Sequence, residues 1–277
     1  MAADAITVQS ALANARRRID AVDAKALLCA VLGRDAAYLI AHAEDGMPAE
    51  QALTFEAWVQ RRAAGEPVAY ITGWREFYGR TFRVTADVLI PRPETELLVD
   101  VALAQLRGFS AARVLDLGTG SGCIGLTLAA ECVGAHITGV DASEAALAVA
   151  RSNAARLGID RVEWRVSNWF DALGTTSYEV IVSNPPYVAG NDEHLMRGDL
   201  RYEPRAALTP GGDGLDAIRH IVRASVDHLR PGGSLWFEHG YDQGAACRAL
   251  LRQAGYTAIA THRDLAGIER VTGGRRI

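Results

Sequence analysis

Residues 180–190 read VIVSNPPYVAG, so an apolar strand runs directly into Asn184-Pro185-Pro186-Tyr187. Two consecutive prolines remove two backbone N–H donors and force an extended path, so this loop cannot begin a helix. The loop offers acceptors instead: the Asn184 side-chain oxygen and the backbone carbonyls beside it, next to the flat ring of Tyr187. Such a loop suits an amino or amide group on a planar guest, although a Pro-Pro pair by itself can also be a rigid turn that ends a strand.

A glycine-rich loop follows an earlier apolar strand, where Asp116-Leu117-Gly118-Thr119-Gly120-Ser121-Gly122 leads into a helix. Glycines let the backbone approach a ligand closely, and a helix N-terminus presents unpaired N–H groups to an anion. Residues 120–125 also satisfy the G-x-G-x-x-G dinucleotide pattern. That pattern expects its first glycine at the strand end, where Gly118 stands, and counted from there the spacing is G-x-G-x-G.

Two further positions suggest how a nucleoside would be held. Asp141 comes 23 residues after Gly118, at the end of the next strand, where a carboxylate can accept both ribose hydroxyls. NAD and S-adenosylmethionine both carry such a ribose, so this acid does not separate them. After the following strand, Asn168 and Trp169 stand where an adenine can be stacked or hydrogen-bonded, unless Trp169 and Phe170 are simply core.

Strands and helices alternate from residue 112 onward, which is typical of a parallel α/β sheet. Strands are predicted at 112–117, 136–140, 162–166, 178–183 and 234–239, and helices near 121–131, 143–157, 213–229 and 241–254. The tail predicts two more short strands around a turn, which can add an antiparallel edge strand. Ligands bind beyond the carboxyl ends of such strands, so the loops described above are expected to meet there.

The chain before this sheet predicts two other parts. Residues 7–64 carry apolar residues at helical spacing and predict a small helical domain. Residues 68–90 are rich in aromatic and β-branched residues and predict a β-hairpin. The segment 90–96, IPRPETE, opens a helix with proline in its first turn and acids at the positive end of its dipole, which leaves a substrate role open. We therefore predict domains at 1–66 and 91–277, with a hairpin linker at 67–90.

The composition narrows the class of protein further. The 277 residues carry a net charge of −4 and 49% hydrophobic residues, without an apolar run long enough for a membrane helix or a basic-then-apolar start. We expect a cytoplasmic protein. The four cysteines and seven histidines are scattered, so no metal site is predicted. The pI of about 6.0 argues against a protein that holds nucleic acid through its phosphates.

The D-L-G-T-G-S-G loop, the acid at Asp141 and the N-P-P-Y loop together resemble class I S-adenosylmethionine-dependent methyltransferases that methylate a planar amino or amide nitrogen. Further segments resemble the peptide chain release factor glutamine methyltransferase family, PrmC or HemK, over nearly the whole chain. They are FYGRTF at 77–82, LIPRPETE at 89–96, GDLRYEP at 198–204, GGDGL at 211–215, FEHG at 237–240 and ERVT at 269–272.

This resemblance implies a seven-stranded, mostly parallel Rossmann-like sheet with an antiparallel edge strand, a helical N-terminal domain and a β-hairpin linker. Because the N-terminal domain is separate from the predicted sheet, we also expect it to contact the protein substrate. It implies methyl transfer from S-adenosylmethionine to the side-chain amide nitrogen of the glutamine in the Gly-Gly-Gln motif of class I release factors, leaving S-adenosylhomocysteine. The partners would be the release factors, with no stable nucleic acid, membrane or metal.

The resemblance also assigns roles to individual residues. The cofactor would be held by Gly118, Thr119, Gly120, Ser121, Gly122, Asp141, Trp169 and Asn184. The substrate glutamine would be bound by Asn184, Pro185, Pro186 and Tyr187. Because an amide nitrogen is a poor nucleophile, we further expect the Asn184 oxygen and the Pro185 carbonyl to accept its two hydrogens and so act in catalysis. Asn168 departs from the family, which commonly has an acid there, and this puts cofactor affinity in doubt.

Three alternatives stay open from the sequence. A sibling family methylates a glutamine of a ribosomal protein and shares the glycine loop and N-P-P-Y, although the GDLRYEP and ERVT segments favour the release-factor branch. A methyltransferase acting on the amino group of a nucleic-acid base could use the same loop. A non-catalytic nucleotide-binding module would leave the acceptors of the N-P-P-Y loop unexplained.

Overall fold

The computed structural model describes residues 6–196 and 198–277, except for the side chain of residue 194. The chain divides into two compact units, of which one ends at Trp74 and the other begins at Arg75. In the described part of the chain, no helix combines the length and the apolar character that crossing a bilayer requires.

The N-terminal unit is helical. Its helices are α1 Val8–Ala15, α2 Ala21–Leu32, α3 Ala36–Ala41, α4 Ala49–Ala63 and α5 Val68–Thr72. The first three begin at residues whose side chains accept a backbone N–H of the first turn, namely Thr7, Asp20 and Asp35. Leu27, Leu28 and other apolar side chains at helical spacing form one buried core.

The hairpin is shorter than the sequence predicts. Its strands are β1 Trp74–Phe77 and β2 Arg80–Arg83, whereas residues 68–72 form helix α5. Pro67 stands before the first turn of that helix, Ile71 is buried in the helical core, and Gly73 ends the helix with a φ of 81°. Burial of Ile71 and the helix-bounding residues Pro67 and Gly73 therefore override the strand preference of the β-branched residues in this segment.

The second unit is built on a seven-stranded sheet. Its strands are β3 Ala112–Leu117, β4 Ala135–Asp141, β5 Val162–Val166, β6 Tyr178–Ser183, β7 Leu229–Glu238, β8 Thr257–Arg263 and β9 Glu269–Arg275. They lie in the order β5-β4-β3-β6-β7-β9-β8. The strands from β5 to β7 are parallel, and β9 pairs antiparallel with both β7 and β8. The predicted fold class is confirmed, with the antiparallel strand lying second from the edge.

Helices cover both faces of this sheet. They are α6 Glu96–Leu106, α7 Cys123–Glu131, α8 Glu144–Leu157, α9 Arg205–Leu208, α10 Asp216–His228 and α11 Gly244–Gln253, with short 3₁₀ turns at Pro93–Thr95, Glu193–Met196 and Gly198–Tyr202. Alternate strand residues enter two separate cores, so Val114 packs with α6 and α7 while Leu115 packs with α10 and α11. This period of two is what a parallel sheet covered on both faces requires.

The strand order reverses direction at β3, which has β4 on one side and β6 on the other. Leu117 pairs with Val140 in β4 and with Ser183 in β6, so the loops that follow these strands begin side by side. The Ser183 hydroxyl also donates to the Leu117 carbonyl at 2.9 Å. Ligands in open α/β sheets bind at such a switch point, so the register itself places the candidate site.

A buried asparagine connects the hairpin to the glycine loop. The Asn153 side-chain oxygen accepts from the Arg83 N–H at 2.7 Å, and its NH₂ donates to the carbonyls of Arg83 at 3.0 Å and Ser121 at 2.9 Å. Asn153 is fully buried, and its bond to Ser121 is shielded from water on both sides. It therefore fixes strand β2 and the glycine loop against helix α8.

Replacing Asn153 by Asp is expected to lower the free energy of unfolding by about 2–4 kcal/mol, because a buried carboxylate oxygen would replace the NH₂ group and face the carbonyl oxygens of Arg83 and Ser121. The measurement is chemical denaturation followed by circular dichroism. The same change at the exposed Asn191 is the control and is expected to stay within about 0.5 kcal/mol of the parent. Equal stability of the two variants would contradict the bridging role of Asn153.

Candidate active site

A cavity of about 600 Å³ opens at the carboxyl ends of the central strands. This volume is in the range of small-molecule sites. Predicted residues that line it are Gly118, Thr119, Gly120, Ser121, Asp141, Trp169, Asn184 and Pro186. The structure thus brings the glycine loop, the acid at the end of β4, the aromatic after β5 and the loop after β6 to one cavity.

Three of the predicted residues are not among those lining the cavity. Gly122 is buried at the start of helix α7, where a Cβ atom would stand 3.0 Å from Leu126 and 3.1 Å from the Trp164 ring. Pro185 is buried, and the hydroxyl of Tyr187 donates to Glu238. Their predicted roles in ligand binding stay predictions.

Asp141 is held in place by the backbone around it. Its Oδ2 accepts from the Gly120 N–H and its Oδ1 from the Ser143 N–H, both at 2.9 Å. Gly120 has a φ of 54°, which an L side chain rarely adopts, and this conformation presents its N–H to the acid. Each carboxylate oxygen has a second acceptor direction, so Asp141 can still take hydroxyl donors from a ligand in the cavity.

A second acid lies underneath the glycine loop. Asp116 is fully buried and accepts from the Thr119 hydroxyl at 2.6 Å and from the Gly125 N–H at 3.0 Å. The two hydrogen bonds lower the pKa of Asp116, but burial raises it by more, so that the pKa is about 6. The carboxyl group therefore ties the loop to the first turn of helix α7.

The two aromatic residues after β5 have different surroundings. Phe170 is buried and stacks on the His228 ring at a centroid distance of 4.8 Å, so it belongs to the core. Trp169 has a φ of 53° and lines the cavity, where a Cβ atom added to Gly118 would lie 3.7 Å from its ring. Left-handed backbone at a bulky residue is costly and is commonly found at binding sites. Trp169 is therefore a wall of the cavity and Phe170 is its support.

The loop after β6 is anchored by residues that the sequence reasoning did not assign. The Asn184 NH₂ donates to the Thr95 hydroxyl oxygen at 3.0 Å, and the Thr95 hydroxyl donates to Glu238 Oε2 at 2.6 Å. The Tyr187 hydroxyl donates to Glu238 Oε1 at 3.0 Å. The signal was present, because Thr95 lies in the LIPRPETE segment and Glu238 in the FEHG segment, but their contact joins elements far apart in sequence.

Burial governs the protonation of this cluster. Glu238 is 1% exposed, and burial raises its pKa above the ordinary glutamate value, while the hydrogen bonds from Thr95 and Tyr187 lower it. Burial also raises the pKa of Tyr187, with the charge of Glu238 as the next cause, so this phenol stays a hydrogen-bond donor.

The segment 90–96, whose role the sequence left open, contributes to the cavity wall. Pro91, Arg92 and Thr95 line the cavity. The segment is held by Glu203, a buried acid that accepts from the Ile90 N–H at 3.0 Å and forms an ion pair with Arg92. Glu203 lies in the GDLRYEP segment, so two segments of the resemblance are in direct contact beside the cavity.

The part of the chain that the structure describes contains no candidate metal site. Across residues 6–196 and 198–277, no cluster of three or more His, Cys, Asp and Glu side chains is arranged to hold a metal ion. The acids of the site are instead occupied with backbone N–H groups and hydroxyls.

Comparison with known proteins identifies the class first. Residues 93–254 match the family model described as the Methyltransferase small domain, and residues 7–73 match the PrmC N-terminal domain. The solved structure of a methyltransferase from Pyrococcus furiosus has a TM-score of 0.51 at 16% identity, covering 80% of this chain and 97% of that chain. The T. thermophilus 16S rRNA N2 G1207 methyltransferase in complex with AdoMet and guanosine has a TM-score of 0.55 at 21% identity, covering 74% and 50%. The fold is that of a methyltransferase.

Curated relatives then identify the family. A release factor glutamine methyltransferase of Bordetella pertussis is 53% identical over 258 residues, covering 91% of this chain and 94% of the relative. One from Xylella fastidiosa is 49% identical over 264 residues, covering 95% and 96%. The chain belongs to the release factor glutamine methyltransferase family, and the resemblance drawn from the motifs is confirmed at that level.

Proposed function

We propose that this protein transfers a methyl group from S-adenosylmethionine to the side-chain amide nitrogen of a glutamine in class I peptide chain release factors. The observation that supports this most directly is the state of Asn184 at the cavity wall. Its NH₂ is engaged by Thr95, so its side-chain oxygen is the end left to accept from a guest amide. The names of the relatives point to the same substrate class.

The residues of the cavity fit the cofactor. Asp141 retains acceptor capacity for ribose hydroxyls, and Gly120 has open space where a side chain would project. Thr119 and Ser121 of the glycine loop also line the cavity and bring polar groups to the ligand. Asn168 and Trp169 line the part of the cavity where we place the adenine. When bound, S-adenosylmethionine supplies an electrophilic methyl group on a sulfonium.

The remaining task is to activate a poor nucleophile, because the lone pair of an amide nitrogen is delocalised into its carbonyl. We assign this to two acceptors, the Asn184 oxygen and the Pro185 carbonyl, each taking one hydrogen of the glutamine NH₂. Held in this way, the nitrogen directs its remaining lobe toward the methyl carbon, and its growing positive charge meets two fixed dipoles. After the transfer the protonated amide is a strong acid and gives up one proton to solvent, so no strong general base is required.

The domains receive corresponding roles in this proposal. We assign substrate recognition to the helical N-terminal domain, which helix α5 extends beyond the predicted bound at residue 66, a linker role to the hairpin and the chain up to residue 90, and catalysis to residues 91–277. The separate core of the N-terminal helices and their match to the PrmC N-terminal domain support the assignment.

The direct test is incubation of the purified protein with labelled S-adenosylmethionine and a lysate from cells that lack this protein. Mass spectrometry should locate the label on the Gly-Gly-Gln glutamine of a release factor. A labelled ribosomal-protein glutamine or a labelled nucleic-acid base would instead establish one of the alternative substrates and overturn the assignment.

Replacing Asn184 by Ala is expected to lower kcat for release factor methylation by roughly 10²-fold, in line with the loss of one preorganised electrostatic group. The measurement is steady-state methylation at saturating cofactor. Activity within a few-fold of the parent would contradict the role of Asn184 as the amide acceptor.

Replacing Asp141 by Ala is expected to weaken S-adenosylmethionine binding by roughly 10–100-fold, because two ribose acceptors and the anchor of the Gly120 N–H are lost together. Isothermal titration calorimetry measures the affinity. Asp160, an exposed acid that does not line the cavity, provides the control through the same substitution. An unchanged Kd in the Asp141 variant would count against the assignment.

A further inference from the structure

The hydrogen bonds around Glu238 have only one consistent direction when its carboxylate is ionised. A carboxylate donates nothing, so the Thr95 hydroxyl must give its hydrogen to Glu238. The Thr95 oxygen can then only accept from Asn184, which requires the NH₂ end of that side chain to face Thr95. The oxygen end of Asn184 is left for the cavity. The Glu238 carboxylate, two hydrogen bonds away, thus determines which end of the Asn184 side-chain amide faces the cavity.

Resting on the proposed function, we propose that Thr95 and Glu238 are positioning residues for methyl transfer, and that they act by fixing which end of the Asn184 amide faces the substrate. With the amide reversed, two N–H groups would confront the N–H groups of the glutamine. The acceptor would be lost although every atom of Asn184 remained in place.

The hydrogen bonds that run from Glu238 through Thr95 to Asn184, here called the relay, are held rigidly by the fold. Thr95 is 1% exposed and lies in the 3₁₀ turn that precedes helix α6, and Glu238 is the last residue of β7. Glu238 pairs with Val271 of β9, and the next residue, His239, is held at both ring nitrogens by Gly240 and Thr272. The carboxylate therefore has little freedom to reach other partners.

Several groups on neighbouring elements act on the charge of Glu238. The hydroxyls of Thr95 and Tyr187 and the positive charge of Arg270 favour the carboxylate, whereas burial and the charge of Glu94 favour the neutral acid. Cys123 of helix α7 also lies within electrostatic range, and burial raises the pKa of its thiol to about 12, so it stays neutral. If Glu238 is protonated, it can donate to Thr95, and the direction of the relay is no longer determined.

The first test compares Thr95→Val with Thr95→Ser. Valine keeps the shape but removes the hydroxyl, and kcat at saturating cofactor should fall by roughly 10–100-fold, the range for loss of a supporting hydrogen bond behind a functional side chain. Serine retains the hydroxyl and should restore most of the activity. The matched control is Thr127→Val, because Thr127 is equally buried on helix α7 and its hydroxyl bonds to no residue within 6–196 and 198–277.

A double-mutant cycle separates positioning from general structural damage. If Thr95 acts through Asn184, adding Thr95→Val to Asn184→Ala should lower kcat little further, whereas independent effects would multiply. S-adenosylmethionine affinity, measured by calorimetry, should be similar in the parent, in Thr95→Val and in Thr95→Ser. Multiplicative losses in the double variant would overturn the proposal even if each single variant is impaired.

The pH dependence of kcat gives a second readout. The parent should lose activity as the pH falls through the pKa of Glu238, because a protonated Glu238 no longer determines which way the hydrogen bonds of the relay point. This loss, the acid limb of the pH profile, should lie above the pH at which an exposed glutamate titrates. Glu238→Gln cannot accept from both hydroxyls, so its kcat should be low and should lack the acid limb. A Gln variant with the parental profile would overturn the role of Glu238.

A final measurement does not depend on turnover. In protein labelled with ¹⁵N-asparagine, the Asn184 NH₂ resonances should exchange with solvent more rapidly in Thr95→Val than in the parent or in Thr127→Val. Unchanged exchange would exclude the Thr95 hydrogen bond and with it the proposal. Because this experiment needs no release factor, it tests the relay even if the substrate proves to be another protein.

Discussion

The pairing of β3 with β4 on one side and β6 on the other is the constraint on which the site depends. Parallel strands in register end together, so the loops that follow Leu117, Val140 and Ser183 all begin at one edge of the sheet. The hydroxyl of Ser183 adds a bond to Leu117 at this junction. Because the strands are buried on both faces, a slip of register would turn the apolar residues of both cores toward the wrong layer. The geometry of the cavity is therefore stabilised by the same burial that stabilises the fold.

The loops are then oriented by buried polar groups, which are expensive to bury and form hydrogen bonds to the loops they hold. Asp116 fixes the glycine loop to helix α7, Asn153 fixes it to strand β2, and Glu238 fixes Thr95 and Tyr187. Leaving a buried polar group without its hydrogen-bond partners costs more free energy than forming those bonds gains. Conformations of the loop that would break these bonds are therefore disfavoured. They select one loop conformation from the several that an apolar support would permit.

The sequence predicts the strands from 112 to 239, the helices between them and the glycine loop, because these depend on local periodicity and on glycine at positive φ. It does not predict helix α5, where Pro67, Ile71 and Gly73 outweigh the strand preference of residues 68–72. It also misses the pairing of Thr95 with Glu238, since 143 positions separate them in the chain and their segments give no sign of their contact. Asn184 could be found because Pro185 and Pro186 mark its loop, whereas the residues that orient it are visible only through tertiary contacts.

The FEHG and ERVT segments lie outside the cavity loops, and a second network of hydrogen bonds explains their residue types. The donor and acceptor of each bond in this network are also determined. Burial lowers the pKa of His239, so the ring is neutral; its Nδ1–H donates to the Gly240 carbonyl and its Nε2 must accept from the Thr272 hydroxyl. Thr272 then accepts from Thr261, which in turn accepts from Arg248. The FEHG and ERVT segments thus bind each other across β7 and β9, and this contact places Glu238 at the strand end. Residues that never touch a ligand can therefore be as restricted in type as those that do, because they determine where the functional acceptors point.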